Sequence, residues 1–212
     1  MDQAVEAVLA EYEERSRREW AGVIEGSSQM PGDRRDQMLL SVGPSAGRFL
    51  NALARDGKAQ RILEIGTSYG YSTVWLAEAA KATGGKVISL DVADYKQAHA
   101  AKALERAELG GVVEFHTGDA LELIPKLDGP FDLVLVDLWK DLYGPCLELF
   151  YPKLKPGAVI VADNMLRPAA DRTNALAYRR LVRSKPNISS VLLDIGQGLE
   201  VSRLAGPSEE GL

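Results

Sequence analysis

Asp137 ends the apolar run "FDLVLVD" and Asp163 ends "AVIVAD"; Lys140 stands three positions after the first and Asn164 directly after the second. If the two runs are neighbouring strands of one sheet, about 4.8 Å apart, both carboxylates meet at one edge. Two unpaired carboxylates repel each other there, and a divalent cation between them relieves the repulsion. With the amide oxygen of Asn164 the donor set is all oxygen, which favours magnesium or a similar hard ion. A lysine beside such a cation and out of bulk water can have its pKa lowered enough to act as a base, which makes Lys140 the candidate. The competing reading is structural: each aspartate caps a loop, or pairs with Lys140 and Arg167.

A second constellation is "EIGTSYGYS", Glu64 to Ser72, placed where an apolar run gives way to a helical pattern. Glycines in that context let backbone approach a bound cofactor. Only Gly66 and Gly70 are present, not the G-x-G-x-x-G that admits a pyrophosphate, so a nicotinamide dinucleotide is disfavoured. A turn preceded by Glu64 suits a cofactor with an amino-acid tail, whose ammonium seeks carboxylates and whose carboxylate seeks hydroxyls and helix N-terminal amides. Adenosylmethionine is such a molecule. Asp91 ends the run "KVISLD" about 25 positions after Gly66, near the roughly 20-residue interval at which an acid grips ribose hydroxyls. Asp119 in "HTGDALE" either contacts the adenine amine or caps the helix that follows it.

The elements that must position these groups are read from periodicity. From Gln60 onward short apolar runs, "RILEIG", "KVISLD", "VVEFH", "FDLVLVD" and "AVIVAD", alternate with amphipathic patterns in "STVWLAEAAKA", "YKQAHAAKALERA", "GDALELIPKL" and "YGPCLELFYPKL". Such alternation predicts five parallel strands with crossover helices on both faces. "SSVLLDIG" and "GLEVSRLA" read as a closing hairpin. Upstream lie a helix over about residues 2–24, a polar break "EGSSQMPGDRRDQ" that is either linker or mobile lid, and a second helix from near Ser45. The expected organisation is one α/β domain over 1–212: a helical cap at 1–56, a core at 57–205 and a frayed tail at 206–212.

Composition narrows the function classes. The 212 residues carry a formal net charge of −5, with 46% hydrophobic and 26% charged residues, as in a soluble globular chain. The acidic balance argues against nonspecific nucleic-acid or membrane binding. Cys146 is the one cysteine and reads as a packed thiol. His99 and His116 read as structural, which removes Ser-His-Asp and His-ligated zinc chemistry. The charged start of the chain and the lack of a long apolar run lead to the expectation of a cytoplasmic protein.

Together these stretches resemble the cation-dependent O-methyltransferases of the catechol and caffeoyl-CoA O-methyltransferase type. The resemblance runs from about Ser41 to Arg203, and "LEIGTSYGYSTVWLA", "VDLWKDLY" and "VADNML" are its most specific pieces. It implies a Rossmann-like class I methyltransferase fold, a seven-stranded, mostly parallel sheet with the last strand antiparallel. It implies an adenosylmethionine pocket lined by Val42 and Gly43 of "SVG", Glu64, Gly66, Ser72, Asp91, Asp119 and Asp137. By the same match Asp137, Asp163 and Asn164 hold a magnesium-like cation, Lys140 is the catalytic base, the acceptor is a vicinal dihydroxy aromatic and the assembly is a homodimer. The catechol enzymes also place a substrate-orienting acid before a "DGLE"-like segment; here "SSVLLDI" precedes "GQGLE" without one, so catechol itself is not assured as acceptor. Two other readings stay open: methylation of a hydroxylated uridine in transfer RNA, with Arg34, Arg35, Arg179, Arg180 and Arg183 as a phosphate track, and a noncatalytic protein that binds adenosylmethionine.

Overall fold

The computed structural model describes residues 1–25, 36–168 and 172–206. Most of the break read as linker or lid, Arg34 and Arg35 within it, and residues 207–212 of the tail lie outside the described residues. Strands β1 (Arg61–Ile65), β2 (Lys86–Asp91), β3 (Val113–Thr117), β4 (Phe131–Val136) and β5 (Leu154–Ala162) are mutually parallel. The hairpin strands β6 (Ile188–Leu193) and β7 (Leu199–Leu204) complete a seven-stranded sheet of order β3-β2-β1-β4-β5-β7-β6. β7 runs antiparallel to both of its neighbours, so the last strand in sequence is the reversed one.

The central strands are apolar on both sides because both sides are covered. Alternate residues of one strand feed two different cores. Ile62, Leu133, Leu135 and Val161 join a cluster with α1 (Gln3–Glu25), α2 (Gly43–Asp56), α3 (Tyr71–Thr83) and α4 (Asp94–Arg106). Leu63, Ile65, Val134, Val136 and Ile160 face α5 (Tyr143–Phe150) and α6 (Arg172–Ser184). The apolar stripe of α1, Val5, Val8, Leu9 and Tyr12, is buried in the first cluster. That stripe is therefore used inside the chain. No helix among the described residues is long and apolar enough to cross a membrane.

Two local differences from the sequence reading have plain causes. "GDALELIPKL" forms only the turn Ala120–Leu123, followed by the 3-10 turn Ile124–Lys126, because Pro125 has no N–H to continue an α-helix. Arg179 and Arg183, considered above as part of a phosphate track, instead clamp a buried acid. Their Nε atoms lie 3.1 and 2.6 Å from the carboxylate of Glu200 on β7, which is fully buried and also accepts from Ser190 Oγ at 2.6 Å. Glu200→Ala strips that counter-charge from two half-buried guanidiniums and is expected to cost about 2 to 3 kcal/mol in denaturant unfolding, just under the range for fully buried pairs.

Candidate active site

The chain moves outward from β1 to β2 and β3, then returns to lay β4 against the other side of β1, which opens a crevice at the carboxyl ends of β1 and β4. Register makes the crevice exact in composition. Ile65 pairs with Leu90 on one side and Val136 on the other, and Val136 pairs with Ala162. The next residue of each strand, Gly66, Asp91, Asp137 and Asp163, therefore falls on one row. Backbone bonds hold the row flush: Asp137 N donates to Ile65 O at 2.9 Å and Asp163 N to Val136 O at 3.1 Å. The two aspartates do meet at one edge, as their places in sequence predicted.

Gly66 cannot be replaced without moving this row. Its φ is +109°, and a Cβ there would lie 1.9 Å from Asp137 O. Gly66→Ala combines a backbone conformation reserved for glycine with a collision against backbone, and is expected to destabilise the protein by about 3 kcal/mol or more and to abolish cofactor binding, checked by thermal melts and calorimetric titration. Gly70, with φ +94°, turns the chain into α3 against Ala100.

Glu64 sits inside a cage of hydroxyls. Its carboxylate is fully buried; Oε1 accepts from Ser72 Oγ at 2.6 Å, and Oε2 accepts from Thr73 Oγ1 at 2.6 Å and Ser89 Oγ at 2.5 Å. Burial pushes its pKa up to about 7 against the pull of those three hydroxyls. These bonds fix Ser72 and the first turn of α3 to β1 and β2, directly behind the glycine loop. Asp91, at the rim, accepts from Ser68 N at 2.7 Å and Ala93 N at 2.9 Å, and holds the glycine loop to the tip of β2. Asp119 caps the turn that follows it through Oδ1, which accepts from Leu121 N at 2.8 Å. Val42 is buried, and Gly43, with φ +81°, faces open space at the start of α2. The β6–β7 turn abuts them: a Cβ on Gly196 would lie 3.0 Å from Val42 O.

At the acid pair, Asp163 is buried while 17% of the Asp137 side chain reaches solvent. Asp163 has its pKa pushed up to about 8, chiefly by burial and then by the Asp137 charge. Burial raises Asp137 as well, against the pull of Lys140. Lys140 Nζ donates to Leu138 O at 3.1 Å and to Tyr143 Oη at 2.5 Å, and sits 3.7 Å from Asp137 Oδ1. Tyr143 Oη in turn donates to Asp163 O at 3.3 Å, which ties the lysine to the second acid's backbone. Arg167 does not pair with Asp163; it reaches Gly196 O at 2.9 Å and Asp194 at 3.3 Å. Cys146 is buried with its thiol pushed up to about 12, an inert packing group as expected.

A family model described as a methyltransferase domain matches residues 63–165, which covers this row from β1 to just beyond Asn164. The catechol O-methyltransferase of Mycobacterium tuberculosis is 38% identical over 153 residues, 68% of this chain and 68% of that protein. The catechol O-methyltransferase of Niastella koreensis is 39% identical over 132 residues, 60% of this chain and 59% of that protein's length. Among solved structures, the O-methyltransferase TomG from Streptomyces achromogenes, in complex with SAM, superposes with a TM-score of 0.75 at 27% identity, over 97% of this chain and 91% of that one. The chain belongs to the SAM-dependent O-methyltransferases of the catechol O-methyltransferase family.

Membership in this O-methyltransferase family gives the row a test of fit for a cation. Asp163 Oδ1 is buried without a hydrogen-bond partner, the state expected of an oxygen shaped for something other than protein. Asn164, with φ +57°, leaves the strand in a left-handed turn directly beside it. Among the described residues no three His, Cys, Asp or Glu side chains gather as a ligand set, so the cation would rest on two acids and the Asn164 amide. That set suits a hard ion that keeps several waters.

Sequence reasoning missed several partners of this O-methyltransferase site. Ser89 and Thr73 complete the Glu64 cage, and the signal was a lone hydroxyl inside the apolar strand "KVISLD". Tyr143 orients Lys140, three positions on in a helical turn. Val92, 71% exposed directly after Asp91, presents an apolar surface at the tip of β2 that a buried-strand reading ignores.

Proposed function

We propose that this chain moves a methyl group from adenosylmethionine to one oxygen of a vicinal dihydroxy aromatic small molecule, in a reaction that depends on a divalent cation. The observation that carries this reading is the acid pair: two carboxylates at paired strand ends, one with a buried oxygen that no protein group satisfies. Val42, Gly43, Gly66, Ser72, Asp91 and Asp119 would bind the cofactor, with Glu64 holding Ser72 from behind and the exposed Val92 offering apolar surface at the same rim. Asp137, Asp163 and Asn164 hold the cation, and Asp137 also borders the cofactor. Bound adenosylmethionine supplies an electrophilic methyl, and the cation supplies the charge that favours an ionised phenol oxygen.

Lys140 takes the phenol proton at Nζ. Tyr143 Oη and Leu138 O hold that nitrogen in place beside Asp137. Trp139, 62% exposed beside Lys140, and Leu166, 39% exposed beyond Asn164, form apolar walls for an aromatic ring and keep water from its reactive edge. Holding donor and acceptor in line can account for about 7 to 11 kcal/mol of the barrier. The assembly in this reading is a homodimer, with sedimentation as its check.

Labelled adenosylmethionine offered with a panel of phenols, with magnesium and with excess chelator, tests the reading. Methyl transfer to vicinal diols only when the cation is present is the expected result. Full activity under chelator, or equal activity on monophenols, overturns it.

A further inference from the structure

We propose that Tyr69 is a positioning residue for the cofactor loop, gripped from outside the pocket by Arg15 and Lys96, and that the Asp36–Lys96 ion pair is the tie that must open for cofactor or its product to leave. The proposal rests on adenosylmethionine being held at Gly66–Gly70.

Tyr69 directly precedes Gly70 in the glycine loop, yet its contacts run to α1 and α4 rather than to the acid row. The Arg15 guanidinium lies 4.1 Å over its ring and Lys96 Nζ 5.6 Å from it. His99 packs edge-on at 5.4 Å, and Tyr12 Oη on α1 donates to Tyr69 O at 2.5 Å. Each cation is itself held by an acid, Arg15 by Glu19 at 2.6 Å and Lys96 by Asp36 at 2.6 Å. The same groups seize the segment that leads to Val42: Arg15 Nη2 donates to Gln37 O at 2.9 Å, Leu39 N donates to Glu19 Oε2 at 2.8 Å, and Asp36 accepts from the Tyr95 hydroxyl.

Three stretches of chain that carry the proposed cofactor residues, before Val42, around Tyr69 and after Asp91, are thus tied at one cluster. Such ties lower the cost of ordering the loops on binding and slow their separation afterwards. They are unequal. Asp36 is 59% exposed at its side chain, whereas Lys96 is 10% exposed and stays packed near Tyr69. An exposed ion pair is a weak tie, so Asp36 is the member that parts first. Behind the cluster a groove of about 510 Å³ between α1 and α4, bordered by Tyr12, Arg15 and His99, leaves room for the guanidinium to swing aside.

The test measures dissociation of adenosylhomocysteine, the product of the cofactor, from the full chain by displacement, together with KM for adenosylmethionine, kcat and thermal midpoint. Asp36→Asn is expected to speed dissociation by about three- to fivefold, the scale of an exposed ion pair, and Arg15→Gln by about tenfold; each raises KM without lowering kcat, with thermal midpoints close to the parent. Asp36→Glu restores the parent rate, and Asp36→Asn combined with Lys96→Met is no faster than either alone. Tyr69→Leu, which keeps the backbone acceptor for Tyr12, gives the same acceleration as Arg15→Gln and serves if that variant does not fold. Rates within twofold of the parent in folded Asp36→Asn and Tyr69→Leu overturn the proposal alone. A parent protein that binds no adenosylhomocysteine overturns the cofactor reading and this proposal with it.

Discussion

Asp163→Asn is expected to lower turnover of a chelating acceptor by on the order of 10³, the scale on which a preorganised charge stabilises a developing anion. The same change should stabilise the protein when cations are removed. In the folded state the Asp163 carboxyl has its pKa raised from 3.8 to about 8 by burial and by Asp137. The folded form then binds more protons than the unfolded one between those values, so stability falls as pH rises through that window. Asparagine has no proton to lose, so its advantage in chelator is full above about pH 8 and gone below about pH 4. On the proposed reading added magnesium is expected to reverse the ranking, because only the parent would gain from binding it. Melts across pH, with chelator and with magnesium, together with turnover, check this. A variant less stable than the parent in chelator at pH 8 would show that the acid pair does not carry the electrostatic strain a cation would relieve.

Lys140→Ala is expected to lower kcat by about 10² to 10⁴, the range for loss of a positioned general base, with little change in KM for adenosylmethionine. Nζ lies 3.7 Å from Asp137 Oδ1, so the lysine also offsets charge at the acid pair. The two roles separate by acceptor acidity. If proton removal is the role, a nitro-substituted catechol, already ionised at neutral pH, regains most of the lost rate. If charge balance alone matters, rescue is absent, and Lys140→Arg performs as well as the parent. Steady-state rates on the two acceptors decide between them, and a loss under threefold with an ordinary catechol would remove Lys140 from the role of base.

The strands and the acid row were legible because burial on both faces forces unbroken apolar runs, and "FDLVLVD" and "AVIVAD" each stop at a carboxylate. Strand adjacency then followed from the doubly wound pattern, and register placed Asp137 beside Asp163. Other features had no such signature. α6 went unread because only Ala175, Tyr178 and Val182 of its thirteen residues are buried, and the rest is polar enough to resemble a loop. The cage around Glu64 draws hydroxyls from Ser72, Thr73 and Ser89, which converge only once α3 and β2 are docked. The grip on Tyr69 is further still from view: Tyr12 and Arg15 precede it by more than fifty positions, and nothing in the local pattern of α1 points to the glycine loop.

The closeness of Gly66 to the carbonyl of Asp137 welds the proposed donor site and the proposed ion site into one rigid joint. Altering either alone is mechanically difficult, so neither is a promising place to retune the enzyme. Freedom to change lies at the margin, in the exposed side chains of Trp139, Leu166 and the Arg167–Asp194 corner. Anyone seeking new acceptors should build libraries on that outer ring and leave the hinge of the sheet as it stands.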